Sequence, residues 1–168
     1  MPKTFFNEIE AAMIAQNMEK HGLEFYQRAA AKAKDTATRD LFLRLAEDEK
    51  KHLARFEELE EILQADRRAK KGYTDDADLA AYIDRLVETQ VFADEGTAAR
   101  LADQARSDYE ALAVAIRAER DSILFYQEMM SFIESNLARA AFSTILDEER
   151  AHLRILGDQS EHCENFQA

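Results

Sequence analysis

Residues 7–57 align with residues 107–157 without a gap, so the chain carries one pattern twice at an offset of one hundred residues. Glu10 falls on Glu110, Glu19 on Glu119, and Phe25-Tyr26-Gln27 on Phe125-Tyr126-Gln127. Arg39 falls on Arg139, Phe42 on Phe142, Glu49 on Glu149, and His52-Leu53 on His152-Leu153. Any two amphipathic helices match apolar residue to apolar residue. That shared pattern does not bring Glu, His and Tyr into register together. The repeat is too long for a solenoid period and reads as two copies of one unit related by a two-fold axis.

The unit is a helical hairpin. Of 168 residues only four are Gly and one is Pro, and apolar residues recur at helical spacing almost throughout. Asn7 and Glu10 form a capping-box pair that opens a first helix, with Ile9, Met13, Ala15, Met18, Phe25, Tyr26 and Ala29 as its buried stripe. Asp35 or Thr36 caps a second helix through Leu41, Leu45, Leu53, Phe56, Leu59 and Leu63, running to a basic end that Gly72 stops. Ser107 and Glu110 repeat the capping box and open a helix through Val114, Ile123, Phe125, Tyr126 and Met130. A last helix carries Leu137, Phe142, Ile145, Leu146, Leu153 and Leu156, with Gly157 as its expected stop.

Between the hairpins, Leu79, Tyr82, Ile83, Leu86, Val87 and Phe92 make one shorter amphipathic helix that ends around Gly96. The expectation is an all-α chain of a single domain over 1–168: hairpin one at about 7–71, a crossover at about 72–106, hairpin two at about 107–157, and a fraying tail at 158–168. This is an antiparallel four-helix bundle with a long crossover that holds an extra helix.

Glu49 and His52 lie three apart on one helix face, as do Glu149 and His152, and Leu45, Leu53 and Phe56 mark that first face as inward. Glu19 and Glu119 also stand among apolar neighbours. Four inward carboxylates repel one another and stay protonated unless cations neutralise them, and two divalent ions match their charge. Carboxylate-rich ligation with one imidazole per ion favours iron, with manganese or zinc as substitutes, over a structural zinc site. Tyr26 and Tyr126 return to the same faces seven residues after Glu19 and Glu119. As core aromatics they need only a partner for the hydroxyl. His21 is expected at the surface, and His162 and Cys163 in the tail.

The stretches "AQNMEKHGLEFYQRAA" and "LFLRLAEDEKKHLARF", with their twins, resemble the rubrerythrin family of the ferritin-like superfamily. The resemblance spans both hairpins. It implies a ferritin-like bundle with bridging roles for Glu49 and Glu149, terminal carboxylates at Glu19 and Glu119, and terminal nitrogens at His52 and His152. It also implies that Tyr26 and Tyr126 orient carboxylates and can donate electrons. Two departures matter. The single cysteine leaves no room for the four-cysteine rubredoxin-like module of rubrerythrins proper, so an external donor must supply electrons. Ser122 stands where typical rubrerythrins carry a further Glu, and the symmetric six-residue site is more similar to that of bacterioferritin or simpler rubrerythrin relatives.

A net charge of −12 argues against nucleic-acid and anionic-membrane partners. No apolar run reaches the roughly 20 residues of a membrane span, and the start lacks a secretory apolar core. The expectation is therefore a cytoplasmic protein, with a homodimer through exposed helix faces. Its expected activity is di-iron reduction of hydrogen peroxide or dioxygen. The alternatives are iron storage or transfer with a ferroxidase centre, and a non-catalytic metal-binding bundle.

Overall fold

Asn7 opens the first helix as its place in the repeat predicts. Its side-chain oxygen accepts the Glu10 N–H at 3.0 Å, and Glu10 accepts the Asn7 N–H at 3.2 Å, a closed capping box. The computed structural model describes residues 7–66 and 77–165. Its six helices are α1 (Glu8–Lys32), α2 (Thr36–Ala65), α3 (Ala77–Glu88), α4 (Thr97–Gln104), α5 (Asp108–Phe132) and α6 (Asn136–Asn165). Helices α5 and α6 begin and end one hundred residues after α1 and α2 at every boundary. Helices α1, α2, α5 and α6 form a four-helix bundle, each hairpin packing within itself and then against the other. Among the described residues no helix is long and apolar enough to cross a membrane.

The two hairpins lock each other through a pair of acids that the repeat relates. Glu8 accepts the N–H groups of Glu134 and Ser135 at 2.9 and 2.8 Å, in the α5–α6 turn. Asp108 accepts the N–H groups of Lys34 and Asp35 at 3.0 and 2.7 Å, in the α1–α2 turn. Every number in the second set is the first shifted by one hundred, so each copy fastens the turn of the other. Glu8 is 2% exposed, and its carboxylate is shielded from the water that would otherwise compete for those donors. Glu8→Ala should therefore cost about 2 kcal/mol, and Asp108→Ala about 1 kcal/mol because its contacts are exposed. Urea midpoints measured in chelator, so that metal plays no part, give both values.

Several expectations are corrected. The crossover holds two helices, not one: α3 stops at Glu88, and Gly96, with φ 81°, is the N-cap of α4 rather than the end of α3. Only glycine takes that backbone conformation without steric penalty. The box at Ser107 is half formed, because Glu110 accepts the Arg106 N–H instead of that of Ser107. Helix α6 runs through Gly157 to Asn165 instead of stopping and fraying. A glycine inside a helix costs about 1 kcal/mol; Gln159 offsets it by bonding Thr38 at 2.9 Å, and Cys163 packs against buried residues. Met13, Tyr82 and Leu137, expected inside, are 48%, 45% and 48% exposed. The basic end of the second helix with Gly72, and the Leu79 side chain, lie outside the described residues.

The core has two parts. One gathers Phe56, Phe125, Tyr126, Met129 and Phe142 at one end of the bundle. The other gathers Phe25, Tyr26, Phe42, Leu112 and Leu156, and buries Ala98 and Ala102 of α4. The polar residues singled out in the repeat occupy the space between them.

Candidate metal centre

Each bundle helix contributes one carboxylate to the middle of the bundle: Glu19 from α1, Glu49 from α2, Glu119 from α5 and Glu149 from α6. His52 and His152 come from α2 and α6, one helical turn beyond their glutamates. All six are at most 4% exposed. They fall into two groups, Glu19, Glu49, His52 and Glu149, and Glu49, Glu119, Glu149 and His152. Within each group one donor atom from every residue lies within 4.8 Å of the others. Glu49 and Glu149 belong to both groups. The arrangement is that of a di-metal site with two shared carboxylates.

The polar atoms of this cluster are poorly served by the protein alone. His52 Nδ1 lies 2.9 Å from Glu149 Oε1 and 3.3 Å from Glu19 Oε2. Nevertheless His52 Nδ1, Glu149 Oε1 and Glu119 Oε2 are buried with no hydrogen bond of acceptable geometry. Such orphans are costly in an interior, and a cation in each group would satisfy them, since His52 belongs to the first group, Glu119 to the second and Glu149 to both. The donor set therefore fits two divalent ions.

Charge perturbation agrees. Burial, then the charges of Glu19 and Glu149, push the Glu49 carboxyl well above the ordinary range. Burial, then Glu149, raises Glu119 to about 8. Burial and Glu19 also act to raise Glu149, but hydrogen bonding within the cluster outweighs them and lowers it. Burial pushes the imidazoles down, yet the carboxylates around them prevail, holding His52 at about 11 and His152 at about 10. The metal-free cluster is thus held together by protons where metal charge would serve.

The tyrosines cross between the repeats. Tyr26 donates its hydroxyl hydrogen to Glu119, and Tyr126 donates to Glu19. Burial first, then the neighbouring carboxylates, hold both phenols well above their usual range, so they stay donors at neutral pH. Each hydroxyl fixes one carboxylate oxygen and turns its partner oxygen toward the cluster.

Comparison with known proteins places this geometry. Residues 3–60 match the Rubrerythrin family model. No curated protein matches the chain. A two-domain protein from Anabaena variabilis ATCC 29413, with DJ-1/ThiJ/PfpI-like and ferritin-like domains, has a similar fold at TM-score 0.64 and 16% identity. The likeness covers 92% of this chain and 39% of that one, so this chain spans about two fifths of its length. The chain has a ferritin-like fold, and its first hairpin is similar to the Rubrerythrin family.

The structure also brings to the centre residues that the sequence pattern did not single out. Glu148 Oε2 lies 2.7 Å from His52 Nε2 and is itself held by Arg55 at 3.1 Å. Asp48 Oδ2 lies 3.5 Å from His152 Nε2, and Lys51 holds Asp48 at 2.8 Å. Each acid immediately precedes a site glutamate and faces the histidine of the other hairpin. By taking the Nε2 hydrogen Glu148 leaves His52 Nδ1 as the atom turned toward the cluster, while Asp48, at 3.5 Å, pairs with His152 by charge. The signal was present as an acid before each Glu, but the acid-rich surface of α2 and α6 hides it. Gly22 was also missed. A Cβ there would sit 3.2 Å from Glu49 Cδ, so a side chain would press on the shared carboxylate. His21, expected at the surface, is half-buried and holds the Phe92 carbonyl with Nδ1 at 3.1 Å.

Proposed function

We propose that this protein is a non-haem di-iron oxidoreductase that reduces hydrogen peroxide or dioxygen and is re-reduced by an external electron donor. The observation that carries this reading is the pair of buried groups sharing Glu49 and Glu149. Shared carboxylates hold two ions close enough to act on one small molecule. Two ferrous ions held there supply the two electrons that, with two protons, convert one peroxide to two waters.

The protein's own part is holding and tuning. Glu49 and Glu149 span both positions, Glu19 with His52 completes one, and Glu119 with His152 completes the other. Tyr26 and Tyr126 keep Glu119 and Glu19 aimed, and Glu148 and Asp48 keep the imidazoles in register. The apolar clusters on either side exclude bulk water, which strengthens each of these contacts. Oxygen-rich donors favour iron or manganese over zinc. Protein purified without oxygen and loaded with ferrous iron is expected to take up two ions per chain. Adding peroxide should then produce ferric absorption in a single fast phase. Two irons bound with no spectral change would sink the proposal.

A further inference from the structure

A small cavity opens onto the centre from the side where α1 faces α5. Its walls are Met18, Gly22 and Tyr26 from α1, and Ala118, Glu119 and Ser122 from α5; the Glu49 carboxylate is also exposed to it. The space amounts to about 20 Å³, room for one molecule of about the size of water. Gly22 and Ser122 occupy equivalent positions in the repeat. The missing side chain of Gly22 is what leaves space beside the Glu49 carboxylate, because a Cβ would come within 3.4 Å of both its oxygens. The cavity therefore reaches two of the carboxylates that face the metal positions.

The crossover roofs this cavity. Gln90, Val91 and Phe92, between α3 and α4, complete its lining. Another pair of repeat-related residues fastens that strap. Asp121 accepts the Val91 N–H at 2.7 Å, and His21, one hundred residues earlier, holds the Phe92 carbonyl at 3.1 Å. Gln90 adds a contact to the Met18 sulfur at 3.3 Å, and Phe92 packs against Phe25 at 5.2 Å between ring centroids. The strap is thus anchored to α1 and to α5 on the two sides of the opening. Its anchoring is what keeps the cavity small.

The geometry points to this cavity as the binding place of the oxidant, with the strap and the side chains at 22 and 122 limiting it to molecules little larger than water. Hydrogen peroxide and dioxygen are the oxidants nearest that size; hydroperoxides with an organic group are far larger. The inference rests on the proposed di-iron reading and assigns it a substrate size and the residues that set it. Positions 22 and 122 act by volume, and Val91 acts as the roof.

The test compares hydrogen peroxide with cumene hydroperoxide on the diferrous protein, and adds nitric oxide as a two-atom probe that binds ferrous iron without turnover. Wild type should be oxidised by hydrogen peroxide at least about 100-fold faster than by the organic peroxide, and Val91→Gly should lower that ratio about 10-fold. Ser122→Leu should slow nitric oxide binding about 10-fold, with two irons per chain and the melting temperature retained. A protein that binds nitric oxide but is oxidised by neither peroxide nor by dioxygen refutes the oxidoreductase reading, and the nitric oxide rates of Ser122→Leu still decide the access route. Equal rates for the two peroxides, or unchanged nitric oxide binding in Ser122→Leu with iron retained, overturn the inference. If Ser122→Leu loses iron or fails to fold, the Val91→Gly ratio decides alone.

Discussion

Glu49→Gln is expected to lose both metal ions while leaving the metal-free protein at least as stable as wild type. Glu49 is one of the two donors common to both groups, so its charge and its second oxygen serve both positions at once. An amide keeps the shape and removes the charge. Changing residues that merely support a ligand weakens metal binding roughly 10–100-fold, so losing a shared ligand should weaken both ions on the order of 100-fold or more. In the metal-free protein the argument reverses. Burial and the charges of Glu19 and Glu149 already favour the protonated Glu49 carboxyl, and the amide imitates that neutral form. Metal content after dialysis and melting temperature in chelator measure the two halves. A large fall in metal-free stability would mean that Glu49 is a structural residue first.

Metal loading should raise the melting temperature strongly, and by more at pH 8 than at pH 5. At free metal a thousand-fold above its dissociation constant, each ion adds about 4 kcal/mol. For two ions and a chain of this size the rise is on the order of 20 °C. The pH dependence follows from the direction of the shifts. Glu119 is raised to about 8 when folded, so the folded protein holds a proton there that the unfolded chain releases near its ordinary value. Stability of the metal-free protein therefore falls as pH rises from the ordinary carboxyl range to about 8. His52 and His152 are raised to about 11 and about 10. Their contribution is complete below the unfolded imidazole value and is lost as pH climbs through the folded ones. Both effects weaken the metal-free protein with rising pH, and metal needs the same groups deprotonated. The gap between loaded and chelated protein should thus widen from pH 5 to pH 8. Manganese serves for this measurement because it avoids oxidation during the scan. A gap that narrows with pH would place the binding groups elsewhere.

Much of the fold was legible because helical periodicity and capping are local. Asn7, Asp35 and Ser107 cap helices where their spacing says they should. The repeat carried more: its offset reappears in the helix boundaries, in the Glu8 and Asp108 locks, and in the crossed tyrosines. The six site residues were legible for the same reason, since acids and histidines cannot keep register by apolar pattern alone. The errors came where distant contacts decide. Gly157 reads as a helix end until Gln159 meets Thr38 on another helix. Met13 reads as core until the neighbouring helix is placed, leaving it 48% exposed.

The sequence by itself determined the four long helices, their pairing as two copies, and the two Glu-x-x-His units with their partner glutamates. Those features depend on residue type and spacing along one chain. Only the tertiary structure decided that each copy serves the other: Tyr26 holds Glu119, Tyr126 holds Glu19, Glu148 faces His52 and Asp48 faces His152. It also decided that the crossover roofs the centre through Asp121 and His21. The physical reason is that a spacing fixes a helix face, whereas the neighbour of that face depends on how the hairpins dock.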